Sequence, residues 1–377
     1  MSISRRSFVA LSGVAAASLA SFSLAGCSGT APQAAVEDGS ASEDESFKDE
    51  GKGASLAVGR RGKLFKIAPS VVAENLGYYA EEGCNVSFEQ VELAEGFASL
   101  AAGNLDVMLM GVVQTCEYIA KGTPLYIIGG TVLNGTEILA KKELEGAFSA
   151  PEDFKGKNIA YQRAETGQIM FRAWLKDAGL DIEGGDVTFT ALDNEQAMVE
   201  ATLKGEVDMC LCNNAFGYIN LERGIRVVGA VKDLTGDYPC CRQSASEKAY
   251  KEKYLALVDF EIAILRGYKK FVEEPDVVVP MMVEYSGQSE DYVRAALYGT
   301  DAYEAVMNLS PDPCRNAVIE FYEALKEVGT VDAATAVPVE EFVVGDVYRS
   351  ALDTLMQREP DEMFWKELDR QYTLNDE

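Results

Sequence analysis

The chain has 377 residues, a formal net charge of -27 and no histidine. The lack of histidine excludes Ser-His-Asp and Cys-His catalysis, zinc sites that need histidine, and histidine-based pH switching. The strong negative charge disfavours binding to nucleic acid or to an anionic lipid surface. A hydrophobic content of 47% is sufficient for a globular core within one or two domains.

The N-terminus has the pattern of an export signal. Arg5 and Arg6 precede an apolar stretch, and Phe8 behind them favours the twin-arginine route over the general secretory route. The stretch is short and rich in small residues, which argues against a spanning helix. The sequence Leu-Ala-Gly-Cys ending at Cys27 resembles a bacterial lipobox, which predicts a signal peptide at 1–26 and a lipid on Cys27. Cleavage of this signal peptide would remove both arginines and no acidic residue, and so would change the net charge from -27 to about -29.

Behind the lipobox the composition changes twice. Residues 27–53 are dominated by small and acidic residues, which predicts a disordered tether. From residue 63, short apolar runs alternate with amphipathic helices, a pattern typical of right-handed crossovers and mostly parallel sheets. In chain order we predict a strand at 64–68, a helix at 70–82, a strand at 86–93, a helix at 96–102, a strand at 105–110, a helix at 111–121 and a strand at 125–129.

The same order then recurs, followed by a helical region. The second series is predicted as a strand at 157–161, a helix at 166–178, a strand at 187–191, a helix at 195–203, a strand at 207–212, a helix at 214–223 and a strand at 225–231. Periodicity predicts helices over 260–272, 274–285, 291–297, 316–328, 344–356 and 362–368. One signature occurs in both series, at 101–106 and 203–208, where a glycine ends a helix before an apolar strand. This repeat indicates two α/β lobes of related build.

Seven cysteines remain after Cys27, so at least one is unpaired or pairs between chains. On a strand, Cys210 and Cys212 would point to one face, and a disulfide between the adjacent Cys240 and Cys241 would be strained. These four thiols suit either a metal or redox site or a set of small core residues. We favour the core interpretation, because free cysteine is among the most buried residue types.

Four segments carry a resemblance to a known family. They are Ala98–Val107 (ASLAAGNLDV), Lys121–Leu125 (KGTPL), Pro151–Ala160 (PEDFKGKNIA) and Ala201–Asp208 (ATLKGEVD). Across residues 63–350 the chain resembles the lipid-anchored solute-binding proteins of ABC importers of the nitrate, sulfonate and taurine type. The resemblance implies a periplasmic-binding-protein type 2 fold in which each lobe is a mostly parallel sheet flanked by helices, with a helical C-terminal part. Lobe 1 would comprise 54–133 plus 232–377, and lobe 2 would comprise 134–231.

The resemblance also implies a function. We expect a monomeric, exported protein, anchored through Cys27 on the outer face of the bacterial cytoplasmic membrane or in the periplasm. It would deliver a small solute to an ABC permease and its ATPase, without catalysis, cofactor, metal or nucleic acid. A sensor or adaptor lipoprotein, or a receptor for a thiamine-precursor-like pyrimidine, is the alternative. An enzyme on this fold is disfavoured, since pyrimidine-synthesising relatives use an active-site histidine.

In open α/β sheets, ligands bind at the carboxyl ends of strands, where helix N-termini offer free N–H groups. Arg163 at such a loop suits an anion or a pair with Glu165, and Glu95 suits an amine or simply the helix dipole. Ser70, Thr166 and Asn214 suit a ligand or ordinary helix capping. The candidate ligand-binding residues are Ser70, Glu95, Gly96, Gly111, Val112, Gln114, Gln162, Arg163, Thr166, Gly167, Asn194, Asn213 and Asn214.

Overall fold

A computed structural model describes residues 53–163 and 165–376. The predicted signal peptide, the lipidation site Cys27 and residues 27–52 of the predicted tether lie outside the described residues. Within them the chain forms two β-sheets flanked by helices, which confirms the α/β class and the helical C-terminal part. In the described part of the chain, no helix is both long and apolar enough to cross a bilayer.

The strands divide between the two sheets by sequence region. The first sheet has the order β11-β4-β10-β3-β1-β2 and the second the order β7-β6-β8-β5-β9. Their bounds are β1 (Ser55–Arg60), β2 (Asn85–Gln90), β3 (Val107–Met108), β4 (Leu125–Leu133), β5 (Thr136–Lys141), β6 (Asn158–Tyr161), β7 (Thr188–Ala191), β8 (Met209–Asn213), β9 (Ile225–Ala230), β10 (Pro239–Ser246) and β11 (Asn308–Leu309).

Most strands within each sheet run in one direction. In the first sheet these are β2, β1, β3 and β4, and in the second they are β7, β6, β8 and β9. The chain passes from the first sheet to the second after β4 and returns after β9. The first strand after each crossing lies antiparallel between two strands of the common direction: β5 between β8 and β9, and β10 between β4 and β3. Both sheets are therefore mixed, although the sequence pattern predicted mostly parallel ones.

Helices cover the sheets and form most of the C-terminal region. The longest, α9, is buried along much of its length and packs against α1 and α13. The helices of the described residues are α1 (Ala68–Asn75), α2 (Tyr78–Glu81), α3 (Leu93–Ala101), α4 (Val112–Ala120), α5 (Thr166–Asp177), α6 (Glu195–Lys204), α7 (Val231–Thr235), α8 (Glu247–Glu252), α9 (Tyr254–Glu273), α10 (Pro275–Ser286), α11 (Glu290–Tyr298), α12 (Arg315–Glu327), α13 (Asp346–Arg358) and α14 (Met363–Asp376).

Two predictions near the start of the described chain are wrong. Residues 64–68 form no strand: Phe65–Ile67 is a 3₁₀ turn that leads into α1, whose first turn holds Pro69 with its helical φ. The first strand is instead β1, further upstream. The helix predicted at 70–82 is split into α1 and α2, because Gly77 adopts a left-handed φ of 76° between them.

The helix predicted at 214–223 is also wrong. The chain forms turns there and then a 3₁₀ helix at Tyr218–Arg223. The buried carboxylate of Glu137 on β5 accepts hydrogen bonds from the backbone N–H groups of Ala215 (2.7 Å) and Gly217 (2.9 Å). Ala215 is held at a positive φ of 77°, which is incompatible with a regular helix.

The repeated signature forms the same turn in both sheets. In the first, Asp106 accepts a hydrogen bond from the Ala57 N–H (2.8 Å) and donates its own N–H to the Ala57 carbonyl (2.8 Å). In the second, Asp208 accepts from the Asn158 N–H (2.7 Å) and donates its N–H to the Asn158 carbonyl (2.8 Å). Each aspartate therefore ties the entry of β3 or β8 to the neighbouring β1 or β6.

Candidate functional site

A small cavity of about 60 Å³ lies where the N-terminal ends of α4 and α5 meet the beginning of β10. Its wall includes elements attached to both sheets, since α4 packs on β10 and β4 while α5 follows β6. The lining residues are Arg61, Leu64, Lys66, Leu93, Met110, Gly111, Val112, Val113, Gln114, Glu165, Thr166, Cys240 and Cys241.

Gly111 brings the N-terminus of α4 to the cavity. It is the residue before the helix and has a φ of 89°, a conformation that favours glycine. A Cβ at this position would lie 2.5 Å from a ring carbon of Phe97, so a side chain would not fit. The backbone therefore approaches closely, and Val112 and Gln114 in the first turn of α4 reach the wall.

A second glycine, Gly167, allows the N-terminus of α5 to pack closely against β5. A Cβ on Gly167 would lie 2.2 Å from the hydroxyl oxygen of Thr136 on β5, so only glycine allows this close packing. Thr166, the first residue of α5, is buried on the cavity wall. Apart from the neighbouring Cys240 sulfur, its hydroxyl oxygen has no hydrogen-bond partner among the described residues. The N-termini of α4 and α5 thus both face the cavity, with a buried hydroxyl beside them.

The two adjacent cysteines reach the cavity because β10 is irregular. Pro239 pairs with Leu133 and Cys241 with Val132, so Cys240 is the extra residue of a β-bulge. Neighbouring side chains of a regular strand point to opposite faces, whereas here both thiols line the same cavity. Their sulfur atoms lie 3.9 Å apart and are unbridged.

Lys66 places a positive charge at the same point. Its Nζ donates to the side-chain oxygen of Asn213 (2.7 Å) and lies 3.5 Å from the Cys240 sulfur. Asn213 in turn donates its backbone N–H to the Glu195 carboxylate (2.6 Å) and approaches Glu165 with its side-chain nitrogen (3.5 Å). A residue before α1 is therefore linked to the end of β8 in the other sheet.

The charges around Lys66 shift several pKa values. Burial disfavours the Lys66 charge, but negative charge on the neighbouring thiols and carboxylates outweighs burial and raises the pKa of Lys66. A hydrogen bond from Cys241 and the nearby Lys66 charge lower the pKa of Cys240 to about 6, against the opposing effect of burial. The pKa of Cys241 is raised in turn, by its hydrogen bond to Cys240 and by burial. Burial also raises the pKa of Glu195.

Four residues predicted from the sequence line the cavity: Gly111, Val112, Gln114 and Thr166. Gly167 and Asn213 lie directly behind the wall, through the contacts given above. Asn214 donates to the Val306 carbonyl (2.9 Å), and its side-chain oxygen is buried without a partner among the described residues.

The other predicted residues lie elsewhere. Ser70 is buried and shares a hydrogen bond with the Tyr79 hydroxyl (2.8 Å). Asn194 caps α6 by accepting from the Ala197 N–H (2.9 Å). The remaining four do not line the cavity: Glu95 and Arg163 are exposed, Gly96 packs beneath Met108, and Gln162 donates to the Asp193 carbonyl.

The residues predicted from the sequence do not include Lys66, Cys240 and Cys241, which line the cavity. A lone lysine inside the apolar run 64–68 was an available signal, because a charged residue in a buried segment needs a partner. The prediction that the four thiols are small core residues is confirmed, since all are buried in hydrophobic clusters. The bulge that also brings Cys240 and Cys241 to the cavity wall leaves no clear mark in the sequence. Within residues 53–163 and 165–376, no group of three or more Cys, Asp or Glu side chains is arranged to hold a metal ion.

Comparison with protein families gives a match over much of this region. A family model described as NMT1/THI5 like matches residues 65–277, which is more than half of the 377-residue chain. The matched range contains Lys66, both helix N-termini and the two cysteines. A sequence comparison with curated proteins finds no match.

Solved structures share the fold at low sequence identity. The periplasmic aliphatic sulphonate binding protein SsuA from Escherichia coli is 17% identical, with a TM-score of 0.60 over 77% of this chain and 92% of that chain. The periplasmic nitrate-binding protein NrtA from Synechocystis PCC 6803 is 15% identical, with a TM-score of 0.62 over 82% and 90%. The desulfurization enzyme DSZB is 12% identical, with a TM-score of 0.54 over 80% and 99%. The periplasmic-binding-protein type 2 fold is thereby confirmed.

Proposed function

The chain belongs to the NMT1/THI5-like family, and from this premise we propose that it is a solute-binding protein of an ABC importer. The observation that carries the proposal is the cavity at which two helix N-termini and the Lys66 ammonium converge. Such groups recognise small anionic or zwitterionic solutes through N–H donors and positive charge, and Arg61 also lines the cavity. SsuA and NrtA, which share the fold, are named as sulphonate- and nitrate-binding periplasmic proteins.

We propose two lobes, 54–133 plus 232–377 and 134–231, that close over the solute. The membership of the sheets supports this division, because β5 to β9 form one sheet and the remaining strands form the other. Contacts between the proposed lobes are both apolar and polar, and the apolar ones include the Tyr218–Tyr292 ring stack and Ile169 of α5 in the larger core cluster. Besides Lys66 with Asn213, the Tyr303 hydroxyl donates to the buried carboxylate of Glu137. These contacts would form and break as the lobes close and open.

The solute we favour is a small sulfonate such as taurine, with nitrate as a simpler alternative. Its anionic group would accept hydrogen bonds from Lys66 and from the N-termini of α4 and α5. Glu165, which also lines the cavity, suits the ammonium group of a zwitterion. Because the chain carries a net charge of -27, long-range attraction would not recruit an anion, and these local donors would have to provide the binding energy.

The ligand test uses thermal denaturation of the purified protein with a panel of sulfonates, nitrate, amino acids, pyrimidines and aromatic acids. A true ligand at a hundredfold excess over its Kd should stabilise the protein by about 2.7 kcal/mol. Lys66→Met should weaken binding by about tenfold or more, because a charge-assisted hydrogen bond is worth about 1.5–3 kcal/mol. Lys155→Met, an exposed lysine outside the cavity, is the matched control.

Two results would contradict this proposal. One is the absence of any ligand-induced shift across the panel. The other is an equal effect of Lys66→Met and Lys155→Met on the affinity for a ligand that does bind.

We further propose that Cys27 carries the lipid that holds the protein at the membrane, and that Arg5 and Arg6 direct export through the twin-arginine route. Cys27→Ser should shift the protein from the membrane fraction to the soluble fraction in cell fractionation. Continued membrane association of Cys27→Ser would show that the leader itself is the anchor. Replacement of both arginines by lysine should abolish export, and undiminished export would favour the general secretory route.

Catalysis is not part of the proposal, although DSZB shares the fold and is an enzyme. A sensor lipoprotein would bind solute in the same cavity but signal to a different partner. Affinity purification of the lipidated protein from detergent-solubilised membranes distinguishes the two. Recovery of a permease and an ATPase supports import, and recovery of a sensor kinase instead contradicts it.

A further inference from the structure

The thiols of Cys240 and Cys241 have a specific position in the cavity. The bulge at Cys240 turns both side chains inward, and bulges commonly redirect side chains beside functional sites. The neighbouring β4–β5 connection makes room for the Cys240 sulfur, because a Cβ on Gly135 would lie 2.6 Å from it. The side chains are 4% and 6% exposed and belong to the large hydrophobic core cluster, at the point where that core borders the cavity.

The surroundings of the Cys240 sulfur favour its thiolate form. Lys66 Nζ lies 3.5 Å from the sulfur, and the N-terminus of the twelve-residue α5 forms part of the same wall. A nearby cation and a helix N-terminus are the environments that activate cysteines. In agreement with this geometry, the pKa of Cys240 is lowered to about 6. By contrast, burial raises the pKa of Cys84 to about 12, and it also raises the pKa of Cys116 inside α4.

A second observation indicates that the site is built for a ligand. The hydroxyl of Thr166 is buried on the same wall beside the Cys240 sulfur, and its oxygen has no other hydrogen-bond partner among the described residues. A buried polar atom without a partner costs free energy, so a bound group that pairs with it gains affinity. An acceptor or donor on a solute beside Cys240 would satisfy it.

We propose that Cys240 is a nucleophilic thiolate that captures a small aliphatic disulfide from solution as a mixed disulfide within this cavity. The proposal deepens the proposed function, since it requires that solutes enter the cavity. The Cys240 thiolate attacks one sulfur of R–S–S–R, the S–S bond of the solute breaks, and a new S–S bond joins Cys240 to R–S. The other half leaves as R–S⁻, is stabilised by Lys66 and takes a proton from water.

Cys241 acts in this step as a hydrogen-bond donor to the Cys240 sulfur and remains protonated, as its raised pKa requires. Direct attack by Cys241 on the mixed disulfide would create a disulfide between adjacent residues, which is strained. The captured half-solute is therefore retained until an external thiol attacks and releases it. Cys240 is the reacting residue, and Lys66 stabilises both its thiolate and the leaving thiolate.

The test uses the purified, reduced protein and bis(2-hydroxyethyl) disulfide as the probe. Intact mass spectrometry and peptide mapping under non-reducing conditions should show one adduct, on Cys240. Cys240→Ser should abolish the adduct, whereas Cys116→Ser, the control at a core cysteine, should retain it. The adduct should form on Cys241→Ser as well, and the external thiol dithiothreitol should remove it in each case.

The pH dependence tests the role of Lys66 independently of adduct position. The rate of adduct formation should rise with pH with a midpoint below that of an ordinary thiol, because the pKa of Cys240 is lowered. In Lys66→Met the midpoint should move upward and the rate at pH 6.5 should fall by about tenfold or more. Lys155→Met should keep the profile of the unmodified chain.

Several results would overturn the inference: no adduct on the folded protein, an adduct on another cysteine, or an unchanged profile in Lys66→Met. The solute-receptor proposal is tested separately by the thermal shift of Cys240→Ser with non-thiol ligands. If Cys240→Ser binds such a ligand but the unmodified chain forms no adduct, only the covalent capture fails. If Cys240 is modified while no panel compound shifts the melting temperature, the capture is supported and the sulfonate-type receptor fails.

Discussion

Glu261 offers a sharp test of how burial controls the pH dependence of stability in this fold. It lies on α9 with 0% exposure, and neither carboxyl oxygen has a hydrogen-bond partner among the described residues. Burial raises its pKa to about 8, with a smaller opposite effect from the nearby Gln243 amide. The remaining titratable groups that sense its charge are the buried hydroxyls of Tyr79 and Tyr348. We therefore predict that Glu261→Gln changes the pH dependence of unfolding.

The sign and size follow from proton linkage. An unfolded glutamate titrates near pH 4.3, so between that value and about pH 8 only the folded state holds the proton. Over this window the free energy of unfolding of the unmodified chain falls by about 1.4 kcal/mol per pH unit on account of Glu261. A glutamine at this position cannot titrate and keeps nearly the same shape. The free energy of unfolding of Glu261→Gln, relative to the unmodified chain, should therefore increase by about 3 kcal/mol from pH 5 to pH 7.

Urea denaturation followed by tryptophan fluorescence measures this difference, since the chain contains two tryptophans. Other groups that titrate in the same range cancel when the variant and the unmodified chain are compared at each pH. Glu284→Gln makes the same chemical change at an exposed position of α10 and should leave the pH slope unchanged. If Glu261→Gln kept the slope of the unmodified chain, Glu261 would be ionised in the folded protein and the reasoning from burial would be refuted.

Two further substitutions test hydrogen bonds that define the fold. Tyr303→Phe removes the hydroxyl that donates to the buried Glu137 carboxylate. It should lower the free energy of unfolding, measured by urea denaturation, by about 1–3 kcal/mol. An unchanged free energy of unfolding would mean that this hydrogen bond does not stabilise the fold. Asp208→Ala leaves the Asn158 N–H without its carboxylate acceptor and should also cost about 1–3 kcal/mol. Asp301→Ala, at an exposed position, serves as the reference for a surface aspartate.

Much of the fold could be predicted from the sequence because it depends on local signals. The glycine turns before β3 and β8 are repeated motifs, and they mark real helix ends and strand starts. The strand predicted at 64–68 failed because hydrophobicity alone does not separate a buried strand from a buried turn and helix start. Pro69, one residue beyond, was the available signal for a helix start.

The site was predictable only where it depends on backbone position. Gly111, Gln114 and Thr166 follow from the rule that helix N-termini collect at the carboxyl ends of parallel strands. The rule does not specify which of these helix N-termini meet at one cavity. Glu95 was predicted on the same ground, but its side chain is exposed and does not line the cavity. Contacts between residues far apart in sequence, such as Lys66 with Asn213, were beyond any local pattern.

The first strands after the two crossings between the sheets, β5 and β10, carry several of the buried polar and ionisable side chains. β5 and β10 occupy equivalent places, each inserted antiparallel into a set of strands that otherwise run in one direction. β5 carries Glu137, and β10 carries Cys240 and the fully buried Arg242, whose guanidinium donates to the carbonyls of Val132 (2.8 Å) and Asp312. Buried polar groups cost free energy unless they are paired, so they favour one arrangement of their partners over others. β5 therefore fixes the turn after β8 through Glu137, and β10 fixes the position of the Cys240 and Cys241 thiols. The helices that follow the parallel strands supply the N-termini around these thiols.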